Sequence, residues 1–113
     1  MKFIALFLLV SASGFGFETQ LEMNEKAHIK AVQADTELNS IYKQLIEKLT
    51  VKEKANMLQA QRAWIRFRDA QCRFEWQTYE GGSIAPLNFS ECFARMTRAR
   101  TKELKELLKD YDR

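Results

Sequence analysis

The chain has few residues that interrupt secondary structure and few that bind metals. Its 113 residues include one proline, four glycines, two cysteines and one histidine. His28 has no second histidine or cysteine at a ligand spacing, which argues against a metal site or a histidine-based catalytic triad. Residues 17–80 contain no proline or glycine, and no alternating strand pattern is present. The sequence therefore favours long, uninterrupted helices.

The sequence also lacks an apolar run long enough to span a bilayer. The N-terminal run covers residues 3–10, whereas a transmembrane helix needs about 20 apolar residues. Lys2 precedes this run and small residues follow it from Ser11 to Gly16, which is typical of a secretory signal peptide. We predict a signal peptide over residues 1–16, cleaved between 12 and 16, and a single domain over 17–113. No cysteine follows the run to take a lipid anchor, so we expect a periplasmic or secreted protein.

The net charge is small. It is +3 for the whole chain, and it falls to +2 once Lys2 is removed with the signal. This value does not indicate a nucleic-acid-binding surface. Residues 18–49 carry a net charge of −2, whereas residues 50–80 and 90–113 each carry +2. Complementary faces of packed helices explain this distribution, and the alternative is a basic outer face that meets an anionic partner.

Capping-box patterns mark the starts of two helices. The segments from Thr19 to Glu22 and from Thr50 to Glu53 each place a threonine three residues before a glutamate. Both side chains can then satisfy free backbone N–H groups at a helix start. The first helix carries one apolar stripe at spacings of three and four. The members of this stripe are Met23, Ala27, Ala31, Ala34, Leu38, Ile41, Leu45 and Leu49.

The second helix is predicted to be the central element of the fold. One set of its residues falls at alternating steps of four and three, and we expect this set to face the core. The set comprises Val51, Ala55, Leu58, Arg62, Ile65, Asp69, Cys72, Trp76 and Tyr79. Four further residues are expected to widen the apolar face, namely Met57, Trp64, Phe67 and Phe74.

Polar side chains interrupt the apolar pattern of the second helix. We predict a structural polar network of Gln61, Arg62, Arg68 and Asp69 that fixes helix register, since an unpaired charge in a dry core is costly. Arg62 and Asp69 are seven residues apart, so we expect each to bond to another helix or to the loop backbone. The alternative is an exposed basic and aromatic patch for a partner, formed by Arg66, Arg68 and Arg73 with Trp64 or Trp76.

A third helix follows a turn. The segment GGSIAP, residues 81–86, cannot continue a helix, because paired glycines favour turns and the residue before proline avoids helical angles. We predict that the third helix starts near Ser90, whose hydroxyl would cap it. Its apolar stripe comprises Phe89, Phe93, Met96, Arg100, Leu104, Leu107 and Tyr111.

Cys72 and Cys92 flank this turn. In an oxidising compartment they are expected to form a disulfide, and the alternative is two unpaired buried thiols. Closing a loop of about 20 residues stabilises a fold by roughly 3 kcal/mol. The predicted fold class is all-α: a three-helix antiparallel bundle in which one disulfide closes the hairpin of helices two and three. We expect the connecting loop, residues 80–89, to be well ordered.

Six pieces of the chain occur in a characteristic order. They are TQLEMN (19–24), ADTELNSIY (34–42), AQRAWIRFRDAQC (60–72), GGSIAP (81–86), Cys92 and TRARTKEL (97–104). In order and spacing they resemble the lysozyme inhibitor LprI-like family, and the resemblance covers nearly the whole chain after the signal. It implies a small bacterial helical domain in the periplasm or outside the cell, with lysozyme inhibition as the activity attached to the family.

The residues do not form a recognisable catalytic set. Ser83 lies in a glycine turn without an evident base, and Asp69 and Glu75 are six residues apart on a helix, so they point to different faces. We therefore expect neither an enzyme nor a cofactor, and no metal site.

Two classes of binding function remain. In the first, the loop from Glu80 to Asn88 enters the cleft of a lysozyme or another cell-wall glycosidase and blocks the catalytic carboxylates. The expected partner-binding residues are Gly81, Gly82, Ser83, Ile84 and Asn88. In the second, the protein is a small cell-envelope module without inhibitory activity. It would bind peptidoglycan, an anionic surface or a periplasmic protein through the basic side of helices two and three.

Overall fold

The protein is a bundle of three long helices. The computed structural model describes residues 18–77, 82 and 84–112. Helix α1 spans Gln20–Lys48, α2 spans Val51–Gln77 and α3 spans Ala85–Tyr111. The described residues contain no strand. The predicted all-α, three-helix fold is confirmed, while the predicted signal peptide lies outside the described residues.

Both predicted capping boxes lie at helix starts. The Thr19 hydroxyl accepts a hydrogen bond of 3.1 Å from the backbone N–H of Glu22. At the start of α2 the exchange is reciprocal: Thr50 accepts from the Glu53 N–H at 3.2 Å, and the Glu53 carboxylate accepts from the Thr50 N–H at 2.9 Å. Each cap satisfies backbone donors that have no partner within the helix. The two-residue connection between α1 and α2 is therefore sharply defined.

The apolar stripe of α1 faces the core as predicted. Five of its residues are buried: Ala27, Ala31, Ala34, Leu38 and Leu45. The alanines pack near Ala94 and Phe93 of α3, and the leucines pack around Leu104. Small side chains in the first half of α1 allow close approach to α3, and larger ones fill the core in the second half.

Helix α3 is the central element, and the prediction that α2 has this position was wrong. Helix α1 packs chiefly on α3, and α2 also packs on α3. The reason lies in the side chains of α3, which has buried residues on two of its sides. These buried residues are Ala85, Cys92, Ala94, Thr97, Thr101 and Leu104. Small side chains such as Ala94 and Thr97 let neighbouring helices approach on both sides.

The predicted core stripe of α2 was wrong from Val51 to Ile65, where its residues are exposed. Nearer the end of the helix Cys72 is buried as predicted, and Asp69 and Trp76 are half-buried. Val51 is 85% exposed, Leu58 is 41% exposed and Arg62 is exposed. The buried residues of α2 are Gln61, Arg68 and Cys72. Of the residues expected beside the stripe, Met57 and Trp64 pack against the core, whereas Phe67 and Phe74 are exposed. The helix is rotated so that polar residues with partners on α3 and α1 face inward.

Helix α3 begins five residues earlier than predicted. Its N-cap is Ile84, and Pro86 lies in its first turn, where the missing N–H and fixed φ of proline are compatible with a helix. The Asn88 N–H donates to the Ile84 carbonyl at 2.9 Å, as expected inside a helix. Ser90 therefore lies within α3 and does not cap it. Residues 85–89 of the predicted loop therefore belong to α3, and the predicted order of residues 80, 81 and 83 lies outside the described residues.

Candidate functional site

One end of the bundle is fixed by a covalent bond. Cys72 of α2 and Cys92 of α3 form a disulfide with their Cα atoms 5.5 Å apart, which confirms the predicted pairing. Both cysteines are fully buried. The Met96 sulfur lies 3.9 Å from each of the two cysteine sulfurs. A soft, flexible side chain thus fills the space beside the bridge.

Hydrogen bonds also join α2 to α3 at the same end of the bundle. The side-chain amide of Asn88 donates to the backbone carbonyl of Glu75 at 2.8 Å, near the C-terminus of α2. The Arg95 guanidinium bonds to the Glu75 carboxylate at 2.9 Å. Asn88 was expected to bind a partner, but its amide is engaged in joining α3 to α2. The last turn of α2 and the first turns of α3 therefore form one rigid unit.

Three of the predicted partner-binding residues, Gly82, Ile84 and Asn88, lie at this end of the bundle. Gly81 and Ser83 lie outside the described residues. Gly82 and Ile84 are exposed, and Ile84 keeps 43% of its surface accessible. Asn88 is half-buried. Beside these residues is a shallow apolar depression lined by Arg73, Trp76, Pro86, Phe89 and Ser90.

The polar network of α2 is centred on Arg68. The guanidinium carbon of Arg68 lies 3.9 Å from the centre of the Phe93 ring and 5.1 Å from that of Trp64. The Nε of Arg68 donates to Asp69 at 2.9 Å, and its Nη1 lies 3.8 Å from the carboxylate of Asp35 on α1. A side chain that is 7% exposed thus contacts all three helices.

The other predicted network residues lie in different environments. Gln61 is buried, and its side-chain oxygen accepts a hydrogen bond of 3.0 Å from Arg100 of α3. Asp69 is half-buried and pairs with Arg68, its neighbour in sequence. Arg62 is exposed at the edge of a groove between α1 and α2. Sequence reasoning missed Phe93 and Arg100 as partners of α2, because contacts between distant segments leave no local signal.

A second polar tie lies at the opposite end of the bundle. The Tyr111 hydroxyl donates to the Glu53 carboxylate at 2.5 Å and joins the end of α3 to the start of α2. This hydrogen bond, together with those from Thr50, holds the pKa of Glu53 below its ordinary value. The same bond raises the pKa of Tyr111. Tyr111 is exposed and Glu53 is half-buried, and their hydrogen bond holds these two helix ends together as a clasp.

The described residues do not suggest a metal centre or a membrane span. Residues 18–77, 82 and 84–112 hold no group of three or more histidine, cysteine or acidic side chains that could bind a metal ion. Within the same residues, no helix combines the length and apolar character needed to cross a bilayer. The most distinctive feature of the described residues is the end of the bundle that the disulfide closes, where apolar side chains are exposed.

The fold and this end define a small helical domain closed by a disulfide. A family model described as lysozyme inhibitor LprI matches residues 12–104, and the chain belongs to this family. The chain is 37% identical to an uncharacterized protein of Rhizobium meliloti (strain 1021), in an alignment covering 80% of this chain and 74% of the relative. No solved structure matches the chain significantly.

Proposed function

We propose that the protein inhibits a lysozyme by inserting the disulfide-closed end of the bundle into the cleft of the enzyme. Membership of the lysozyme inhibitor LprI family is the observation that carries this proposal. The inserted part would be the turn between α2 and α3, with Ile84 and the neighbouring depression around Trp76 as its apolar contacts. Its effect would be to deny substrate access to the paired carboxylates that glycosidases use.

The geometry of this end supports an inhibitor that binds as a rigid body. The Cys72–Cys92 bridge and the Asn88–Glu75 hydrogen bond hold the segments on both sides of the turn. A binder that is ordered before association loses less conformational entropy when it binds. Ile84 and Trp76 are the kind of apolar and aromatic side chains that dominate interface energies.

The charge of the molecule gives little long-range attraction to a basic lysozyme. A net charge of +2 on residues 17–113 would slow the encounter with a basic partner. Affinity would therefore depend on apolar contacts and shape, and it would change little with salt.

The inhibition is testable with a bacterial cell-wall lysis assay. The purified oxidised protein is titrated against lysozymes of several types, and dose-dependent inhibition of at least one type is expected. Ile84→Asp should weaken inhibition by about tenfold or more, because it places a charge in an apolar contact. Val51→Asp is the matched control, since Val51 is 85% exposed at the start of α2, at the opposite end. The proposal fails if the unmodified protein has no effect at large molar excess.

We also propose that the protein is exported. An N-terminal charged residue, an apolar run and a small-residue segment precede the domain, and the disulfide requires an oxidising compartment. Fractionation of expressing cells, with the mass of the recovered protein measured, should locate it outside the cytoplasm with a first residue in the range 13–17.

The second candidate function is a cell-envelope binding module. It is favoured by the exposed Arg66 and Arg73 of α2, which lie on the same side of that helix. A pull-down with purified peptidoglycan at low and high salt separates the two candidates. Salt-sensitive retention of the protein, combined with unimpaired lysozyme activity, would support this module in place of the inhibitor.

A further inference from the structure

A second stripe, apolar at its five central positions, runs along the exposed side of α2. Its residues are spaced alternately four and three apart, which is the spacing of a coiled-coil seam. We call this set the outer stripe, and it comprises Asn56, Ala60, Ala63, Phe67, Ala70, Phe74 and Gln77. All seven residues are exposed, with Phe67 at 60% and Phe74 at 65%. None of the seven residues belongs to the two clusters of buried apolar residues in the described part of the chain.

The sizes of these side chains make the outer stripe complementary to itself. From Ala63 to Phe74 it alternates small and large residues. If a second α2 lies antiparallel, with a twofold axis between residues 68 and 69, Phe67 faces Ala70 of the partner subunit. In the same register Phe74 faces Ala63 of the partner subunit. Large side chains opposite small ones interdigitate without voids or clashes.

We propose that the protein forms an antiparallel homodimer through the outer stripe of α2. A twofold axis gives both copies of the stripe the same contacts, as in an isologous interface. In this register the stripe pairs with itself from Ala60 to Gln77, over about 26 Å or two and a half heptads. Two helices paired over this length bury on the order of 1,000 Å² in total, which is at the lower limit for a specific interface. The dimer should therefore be weak, with a dissociation constant of about 1–100 μM.

The charges beside the stripe give this dimer a distinctive salt dependence. Arg66 and Arg73 flank the stripe on one side, and the antiparallel register places Arg66 near Arg73 of the partner subunit. Like charges repel, and salt screens the repulsion. Raising the salt concentration should therefore strengthen the dimer. An acidic helix of another protein docked on the same stripe would show the opposite response.

Analytical ultracentrifugation of the purified, oxidised protein tests the proposal. Over a range of protein concentrations we expect a monomer–dimer equilibrium that shifts toward dimer between about 50 mM and about 500 mM NaCl. Phe67→Ala should weaken dimerisation by about tenfold or more. Because the side chain of Phe67 is 60% exposed, the helical circular dichroism of the monomer should be unchanged.

A charge reversal provides a gain-of-function test. Arg66→Glu would place a carboxylate near Arg73 of the partner subunit at two symmetric positions, so it should strengthen the dimer and reverse its response to salt. Leu21→Ala is the control, because Leu21 is 71% exposed on α1 and lies outside the stripe. A protein that stays monomeric at all concentrations, or a dimer unaffected by both substitutions in α2, would overturn the proposal. Lysis inhibition is measured separately, so the two proposals can fail independently.

Discussion

At the scale of single residues, Arg68 is a point where all three helices meet. Its guanidinium stacks on Phe93, approaches Trp64 and pairs with two carboxylates. Those carboxylates are 36% and 43% exposed, so solvent can still hydrate them if the arginine is removed. Arg68 therefore stabilises the fold largely by stacking on aromatic rings and by filling space between the helices.

Arg68→Ala should lower the free energy of unfolding by about 2–3 kcal/mol, because it leaves a cavity between Phe93 and Trp64. Arg68→Lys should recover only part of this loss, since a flexible ammonium group cannot stack as a plane. Urea denaturation followed by circular dichroism measures both values. Arg62→Ala is the matched control, and its effect should stay below about 0.5 kcal/mol because Arg62 is exposed. Equal losses for the two alanine variants would contradict this account.

A second residue-scale prediction concerns Thr97. Its side chain is fully buried, and its hydroxyl oxygen has no hydrogen-bond partner among the described residues. Burying an unpaired hydroxyl costs free energy, so Thr97→Val should stabilise the protein by about 1 kcal/mol.

Thr101→Val provides the comparison for Thr97→Val. Thr101 is also buried, but its hydroxyl donates to the Thr97 carbonyl at 3.0 Å. Losing this bond should make the variant neutral or less stable. The melting temperatures of both variants and of the parent protein are measured under the same conditions. A lower melting temperature for Thr97→Val than for the parent protein would contradict the prediction.

At the scale of helices, the sequence could predict the orientation of α1 but not that of α2. Helix α1 has one dominant stripe, and Leu38 and Leu45 on it are buried. Helix α2 has apolar side chains on several faces, such as Ile65 on one side and Phe67 on another, so its periodicity alone selects no single core face. Its orientation is set by Arg68 and Gln61, whose partners Phe93 and Arg100 belong to α3.

The ends of the helices also differ in whether the sequence alone could predict them. The reciprocal capping box at Thr50 is a local interaction, so the sequence predicts it. The start of α3 was misplaced because proline was treated as excluding a helix, although it is well tolerated in the first turn. The Asn88–Glu75 contact was not foreseen, because it depends on how the two helices pack. Of the candidate site, the sequence could therefore predict the disulfide and the location of the turn.

The Glu53–Tyr111 clasp leads to a pH prediction at this scale. Folding lowers the pKa of Glu53, so its stabilisation is present above the ordinary value of 4.5 and is lost as the pH falls through the lower folded value. Folding raises the pKa of Tyr111, so its stabilisation is present below the ordinary value of 10.0 and is lost as the pH rises through the higher folded value.

Tyr111→Phe isolates this contribution. The difference in melting temperature between the parent protein and the variant should be small and positive near neutral pH, because the hydrogen bond lies at the surface, where solvent screens it. It should shrink toward zero as the pH falls well below 4.5 and as it rises well above 10.0, because the folded pKa of Glu53 is lowered and that of Tyr111 is raised. A difference that stays constant across these conditions would show that the hydrogen bond does not contribute.

At the scale of the whole molecule, the core is unevenly distributed. One cluster consists of Ala31, Ala34 and Ala94, with Phe93 packed against it. The other is built around Leu38, Leu45 and Leu104, and several further large side chains pack against it. Alanines bury much less apolar surface than leucines, so the half of the molecule with the alanine cluster gains less from the hydrophobic effect. The disulfide lies in this half and compensates for the thin core.

Breaking the disulfide should therefore weaken the two halves unequally. The double variant Cys72→Ala with Cys92→Ala should lose about 3 kcal/mol of stability in urea denaturation. Hydrogen exchange should accelerate most at residues 70–77 and 85–95, while amides near Leu45 and Leu104 should keep more of their protection. Uniform acceleration along all three helices would contradict a division of the core into unequal halves.

The up-down-up course of the helices places the two ends of the domain far apart. Glu18 and Arg98 line the same surface hollow near the disulfide, so the chain enters the domain beside the proposed inhibitory turn. Asp112 pairs with Lys48 at the other end, about 40 Å away along α3. A purification tag or immobilisation linker attached at the C-terminus would therefore leave the turn accessible, whereas one attached at the N-terminus would crowd it.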